Sequence, residues 1–323
     1  VAQPGNEPEV LCLGETMSLV APAAPVPLEE APSFTLSAGG AESNVAVHLA
    51  SLGHRASWAG RVGDDPLGRR LVASIAAAGV DTGLVEVRSD APTGVYFKDP
   101  GPDGTRVHYY RAGSAASTMD EDFLADEVID AARVLHISGI TPALSEGCDR
   151  LIRRLLTRPR RAPISFDVNH RPALWPARRA APVLAELAQL ADVVFVGLDE
   201  AAALWGVKTA EDVRKLLDGP VTVVVKDGAE AAHALGERTT VVPAPTVDVV
   251  EPVGAGDAFA AGFLSGVLRG EDDRRCLRRG HLLAAHSLRS TEDHAEAPDA
   301  ESLERWLGLD EQRWGALRFD GSE

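Results

Sequence analysis

Cysteine is scarce in this 323-residue chain: Cys12, Cys148 and Cys276 stand far apart, odd in number and outside any Cys-x-x-Cys spacing. That argues against a disulfide framework and a structural zinc site, and a reducing cytoplasm fits best. Lysine occurs only four times, so arginine carries most of the positive charge. Basic residues number 32 against 48 acidic ones, a net charge of −16, which argues against nucleic acid or an anionic membrane as the main partner. No run of about 18 apolar residues occurs and no charged-then-apolar leader opens the sequence, so neither membrane spanning nor secretion is expected. Gly-x-x-x-x-Gly-Lys-Ser/Thr is absent, which excludes a Walker-type phosphate loop. The nine histidines show no metal spacing such as His-Glu-x-x-His and read as surface or satisfied core residues.

What is present is a regular alternation. Short β-branched runs at 10–13, 134–137, 164–168, 193–196 and 221–225, bounded by Gly, Pro or Asp, read as strands buried on both faces. Helical stretches at 42–52, 66–77, 120–131, 146–156, 177–190, 199–205 and 210–217 lie between them, and the order implies a doubly wound, mainly parallel α/β sheet. Asp64-Asp65-Pro66 has the pattern of a cap with proline at N1, and Gly53 and Gly79 stand where helix ends favour a left-handed residue. Asp199 is a candidate helix cap. Two stretches, about 17–36 and 93–112, break the alternation with short strands and Pro/Gly turns, the second a hairpin. The expected organisation is one domain over 9–310 carrying these strands as an insertion, with tails at 1–8 and 311–323.

The strongest chemical signal is Pro252-Val253-Gly254-Ala255-Gly256-Asp257-Ala258-Phe259. Two glycines let backbone approach an anion, and the helix start that follows offers free N–H groups and the positive end of its dipole. An acid would repel phosphate there, so Asp257 makes sense mainly as a base for an attacking hydroxyl. Phe259 at the sixth position rules out a dinucleotide fingerprint. Earlier, Ser37-Ala38-Gly39-Gly40-Ala41-Glu42-Ser43-Asn44 forms another glycine pair feeding a helix, here carrying Asn44.

Taken together, Gly-Gly-x-x-x-Asn early and Gly-Ala-Gly-Asp late resemble the two signature regions of the PfkB (ribokinase-like) carbohydrate kinases, from Leu11-Cys12-Leu13-Gly14-Glu15 to about Pro298. The resemblance implies ATP and Mg²⁺ as partners of a sugar substrate, with the extra strands as a β lid over the sugar, and homo-oligomers formed through lid strands. By the same resemblance Asp257 is the catalytic base and Gly254, Ala255 and Gly256 the anion hole. Glu200 matches the glutamate of an Asn-x-x-Glu motif that orders magnesium through water, although Gly197 replaces the asparagine. Lys226 and Gly228 match the nucleotide-contacting turn, with Ala231 in place of its second glycine. Glu251-Pro252 replaces the usual Asp-Thr and leaves a monovalent-cation site open.

Substrate class follows from three clusters: Gly94-Val95-Tyr96-Phe97, Tyr109-Tyr110-Arg111, and Asp167-Val168-Asn169-His170-Arg171-Pro172-Ala173-Leu174-Trp175. They are similar to those of the 2-keto-3-deoxygluconate branch of the family. That implies substrate contacts from Gly39, Gly40, Asn44, Tyr96, Tyr109, Arg111 and Arg171, with Asp257. Arginine suits two-point grip of a carboxylate. Leu19 aligns where many relatives carry a hydroxyl-binding aspartate, which a deoxygenated substrate tolerates. The alternatives are a neutral-ketose kinase such as a fructokinase, and a ligand-binding protein on the same fold without turnover.

Overall fold

The computed structural model describes residues 8–101, 104–290 and 297–319. Residues 1–7 and 320–323 of the expected tails, the tip of the hairpin at 102–103, and His294 lie outside the described residues.

The strands are β1 (Val10–Leu13), β2 (Met17–Pro22), β3 (Phe34–Gly39), β4 (Ala56–Gly63), β5 (Asp81–Arg88), β6 (Val95–Gly101), β7 (Gly104–Tyr110), β8 (Val134–Ser138), β9 (Ile164–Asp167), β10 (Val193–Gly197), β11 (Thr222–Asp227), β12 (Ala231–Leu235), β13 (Thr239–Pro243), β14 (Thr246–Val247) and β15 (Arg318–Phe319). The helices are α1 (Ala41–Ser51), α2 (Pro66–Ala77), α3 (Asp126–Asp130), α4 (Glu146–Thr157), α5 (Ala177–Gln189), α6 (Leu198–Trp205), α7 (Ala210–Leu216), α8 (Ala255–Arg269), α9 (Asp273–Leu288), α10 (Ala300–Leu307) and α11 (Glu311–Gly315).

Nine strands form the main sheet in the order β13-β12-β11-β10-β9-β8-β1-β4-β5, parallel except for β12 and β13. The apolar runs at β1 and β8 to β11 are covered on both faces, which is why they read as continuous rather than alternating. Leu151, Leu155, Leu184 and Val213 of α4, α5 and α7 pack on one face. On the other, Val45 and Leu49 of α1 join Phe263 of α8 and Leu282 of α9. A side chain on Gly262 would meet the Arg279 carbonyl at 2.5 Å, so glycine sets how closely α8 and α9 approach. The chain winds outward in both directions from β1 and β8, so their carboxyl ends form the switch point where such sheets bind ligands.

Local signals in the sequence are realised. Asp65 accepts from Gly68 N at 2.8 Å with Pro66 at N1, and Gly53 and Gly79 close their helices at φ +85° and +87°. The expected helix over 120–131 is only the single turn α3, because its first half is spent on turns that bury Phe123 and Leu124. The segment from 311, expected as a tail, is packed instead: Trp314 is buried with its indole N–H on the Pro243 carbonyl, and β15 pairs with β14. Arginines at the end of α4 are paired, with Arg153 on Asp149, Arg154 on Asp126 and Arg158, just past the helix, on Asp130.

β2, β3, β6 and β7 make a separate four-stranded sheet in the order β3-β2-β6-β7, standing over the switch point. Its inner face buries Met17, Leu19 and Tyr96, with Leu19 directly opposite Tyr96, and its other face leaves Phe34, Leu36 and Tyr110 exposed.

Candidate active site

Gly254 caps α8 at φ +87°, a conformation that strains any residue with a Cβ, and it turns the chain so that the free N–H groups of α8 face the switch point. Asp257 lies in the first turn, buried. Asn44, in the first turns of α1, donates Nδ2 to Asp257 Oδ2 at 2.8 Å. Its Oδ1 lies 3.5 Å from Gly40 N, which fixes the amide with its donor toward the acid. Burial pushes Asp257 up to about 6, against the charge of Arg171, the Asn44 hydrogen bond and Lys226, and with help from Asp167.

Three strand ends supply the next group. Asp167 ends β9, Gly197 ends β10 and Lys226 stands near the end of β11, paired in register with Gly197. Lys226 Nζ lies 3.3 Å from Asp167 Oδ2. Burial alone would lower the lysine, but the charges of Asp167 and Glu200 outweigh it and raise its pKa, so it stays an ammonium. A Cβ on Gly256 would sit 3.5 Å from that ammonium, which places the lysine beside the glycine turn. Glu200 accepts from Gly197 N at 3.2 Å and from His170 N, so Glu200 closes the start of α6 and the expected Asp199 cap does not form. Burial, then Asp167, raises the Glu200 pKa.

The lid contributes the rest. Arg111 is buried with Nε 2.7 Å from Glu15 Oε2 and Nη2 on the same oxygen, while Ser114 donates to Glu15 Oε1 at 2.6 Å. Its guanidinium lies over the Tyr109 ring, 5.6 Å from the centroid, and the Tyr96 and Tyr109 rings are 5.7 Å apart. A Cβ on Gly39 would fall 2.0 Å from the Tyr96 hydroxyl, and one on Gly40 would fall 2.5 Å from the Glu15 carbonyl, so both glycines are demanded by packing under the lid. Asn169 holds φ +41°, the one non-glycine residue with positive φ among the described residues, and bends the chain after β9. Beyond the bend Arg171 is exposed, and no described side chain pairs with it.

These groups line one cavity of about 700 Å³. Of the residues expected from sequence, it gathers Gly39, Gly40, Asn44, Tyr96, Tyr109, Arg111, Arg171, Glu200, Lys226, Gly254, Gly256 and Asp257. Ala255 and Gly228 are not among its lining residues; Gly228 forms a left-handed turn at φ +51° beyond the end of β11. Sequence reasoning missed Glu15, Lys98 and Asp167 as site residues. Asp167 was signalled by its place at a strand's carboxyl end, and Lys98 by its alternation with Tyr96 on one strand face. Glu15 carried no local signal, since only the fold brings Arg111 to it.

A buried acid whose affinity for protons is raised, beside a glycine-turned helix start and an ammonium, is an arrangement able to accept a proton and to hold an anion. The family model of the pfkB family carbohydrate kinases matches residues 7–300, and the chain belongs to that family. It is 35% identical over 308 residues to the 2-dehydro-3-deoxygluconokinase of Bacillus subtilis (strain 168), covering 93% of this chain and 95% of that one. The protein of the same name from Thermoproteus tenax is 35% identical over 318 residues, covering 94% and 97%. Among solved structures, a PfkB protein from Polaromonas sp. JS666 superposes with a TM-score of 0.81 at 36% identity, over 88% of this chain and 97% of that one. The chain is a sugar kinase on the ribokinase-like α/β fold, and no helix of the described residues is long and apolar enough to cross a membrane.

Proposed function

We propose that this kinase transfers the γ-phosphoryl group of ATP to the 6-hydroxyl of 2-keto-3-deoxygluconate. The observation that carries the reading is the presence within one cavity of the Asn44-held Asp257 and Arg171, an exposed guanidinium that makes no hydrogen bond or ion pair among the described residues, although its charge reaches Asp257. A site built for a neutral ketose has no need of an open cation. Arg111 is already matched by Glu15, so it orients the substrate with Tyr96 and Tyr109, and the carboxylate falls to Arg171. The names of the two relatives above support the same acid.

In this reading Asp257, ionised above about pH 6, takes the hydroxyl proton as the sugar oxygen bonds to phosphorus and the bond to the leaving ADP oxygen breaks. The N–H groups at the start of α8 and the Lys226 ammonium take up the charge on the transferred group. Both oxygens of Glu200 already accept backbone N–H groups, and among the described residues no cluster of three or more His, Cys, Asp or Glu is placed to hold a bare ion. Glu200 and Asp167 are the carboxylates that would hold, through water, a magnesium carried in with the nucleotide, and the ion would neutralise charge on the triphosphate. The exposed Phe34, Leu36 and Tyr110 support pairing of two copies through their lids, and three buried, unpaired cysteines support a reducing cytoplasm.

The test is ADP release with MgATP over 2-keto-3-deoxygluconate, its galactonate epimer, fructose, ribose and adenosine, with Asp257→Asn as blank. Turnover confined to the keto acids is expected, with Arg171→Ala raising KM for them by about 10–100-fold. Turnover on fructose alone overturns the assignment of Arg171.

A further inference from the structure

Glu251 stands three residues before Gly254 in a turn with few supports of its own, since Pro252 and Val253 are exposed. Behind it, Val250 N and Glu251 N reach the Leu288 carbonyl at 2.7 and 3.2 Å, which ties the incoming chain to the end of α9. Ahead of it, Glu251 Oε1 accepts from Val253 N at 3.2 Å, so the carboxylate shapes the turn that delivers Gly254. Its other oxygen, Oε2, lies 3.7 Å from Lys98 Nζ. Lys98 belongs to the lid: it shares the inner face of β6 with Tyr96, lies opposite Val107 of β7, and has only 8% of its side chain exposed. The pair therefore spans two bodies, one end on the lid and the other on the turn before the transfer loop. Lys98 lines both the cavity of Asp257 and a second one of about 820 Å³, which Glu251 also lines.

We propose that Lys98 and Glu251 form a lid-to-core latch, a positioning pair through which lid closure over the sugar sets the turn holding Gly254 and the start of α8. The inference rests on the kinase reading of that loop. With the lid down, the ammonium meets Oε2 while Oε1 remains on Val253 N, and the first turn of α8 is held ready for the phosphoryl group. With the lid raised, Glu251 loses its partner and the turn is left with its backbone ties alone. The anion site would then be held ready only while the lid is down, which limits transfer to water. A lysine of low exposure opposite a partly buried carboxylate is weakly screened, so the coupling persists at physiological salt.

The experiment compares Lys98→Gln, Glu251→Gln and the exchange Lys98→Glu with Glu251→Lys. In the unliganded proteins, hydrogen exchange of the backbone amides at 253–258 is read by mass spectrometry, which needs no knowledge of the substrate. Each single variant is expected to speed exchange there by about 10-fold, and the charge exchange to restore at least part of it. Steady-state kinetics on the best sugar acid are expected to show kcat reduced by about 10-fold in the singles, a larger change than in KM, with partial recovery in the exchanged protein. Unchanged exchange in both singles, or losses that simply add in the double variant, overturns the latch. If exchange responds and no sugar turns over even in the parent protein, the latch stands and the kinase substrate is what was misassigned.

Discussion

Acids buried on the two sides of the cavity are treated in opposite ways. On the core side, Asp257 receives an amide from Asn44, and Glu42, one residue into α1, receives hydroxyls from Ser138 at 2.6 Å and Thr141 at 3.3 Å. Neither acid is hydrogen-bonded by a cation among the described residues, and burial pushes them up to about 6 and about 7. On the lid side Glu15 is as deeply buried as Glu42, yet it meets the Arg111 guanidinium through two nitrogens and the Ser114 hydroxyl. In the proposed reading the contrast separates an acid kept for chemistry from one spent on structure. Neutral donors orient the two core-side carboxylates while leaving them an affinity for protons, which a base requires; at Glu15 the guanidinium and the Ser114 hydroxyl occupy both oxygens.

The sharpest way to break this contrast is Asp257→Asn, which keeps the shape and removes the base. Turnover is expected to fall by about 10²–10⁴-fold, and kcat/KM of the parent protein to decline below about pH 6. Stability should move the other way. A carboxyl raised in the folded state above its unfolded value of 3.8 binds its proton more tightly when folded, so its ionisation destabilises the fold as pH rises from about 4 to 6. The asparagine escapes that cost. It should unfold at higher urea than the parent at pH 8, by about 2–3 kcal/mol, with the difference gone near pH 4. A loss of stability at pH 8 would mean that the acid is structural, like Glu15.

The lid side is tested by Glu15→Gln, which leaves Arg111 buried against a neutral amide. Breaking a buried pair on one side costs about 3 kcal/mol or more. Urea unfolding should show that loss at every pH from 5 to 8, in contrast to the pH-dependent gain on the core side. Replacing Glu15 and Arg111 together by methionine should destabilise less than Glu15→Gln alone, because no charge is then stranded. If the double variant is the worse of the two, the pair contributes more than its own burial costs.

The two sides also differ in how far the sequence displayed them. The core side was legible because its parts are local: Gly254 to Asp257 is one turn, Gly40 to Asn44 is another, and strand ends marked where they would meet. The sheet could be read for the same reason, since β-branched runs covered on both faces look alike wherever they occur. The lid could be recognised as strands, and its tyrosines and Arg111 were found, but not what Arg111 does. Glu15 and Arg111 stand 96 positions apart, and nothing in the sequence between them carries a pattern that links them. The same holds for Lys98 and Glu251, and for Asp167 and Lys226, pairs made by the fold rather than by spacing. At the C-terminus Trp314 and β15 carry no signal in the sequence, because so short a helix and a two-residue strand have no periodicity to read; their order comes from Pro243 and β14, far away in the chain.

The mildest test asks whether Glu42 belongs with Asp257, as its donors imply. Its Oε2 is buried with no donor among the described residues, and a Cβ on Gly14 would lie 2.2 Å from it, so the carboxylate is pressed against bare backbone. Burial is the main cause of its rise to about 7, and Asp257 adds to it, against the Ser138 and Thr141 hydrogen bonds. Folded above its unfolded value of 4.5, it too destabilises the fold as pH climbs, here between about 4.5 and 7. Glu42→Gln keeps an oxygen for Ser138 and Thr141 and removes the charge. The amide hydrogens it introduces meet the same bare backbone, which offsets part of the gain, so a net stabilisation of about 1–2 kcal/mol is expected at pH 8. Below pH 4.5 the gain should vanish or reverse. The pH at which kcat/KM begins to fall should stay near 6 in the variant, since Glu42, up at about 7, is already mostly protonated there and presents little charge to Asp257. A gain independent of pH would instead place Glu42 with the packing of α1 and dissolve its kinship with the base.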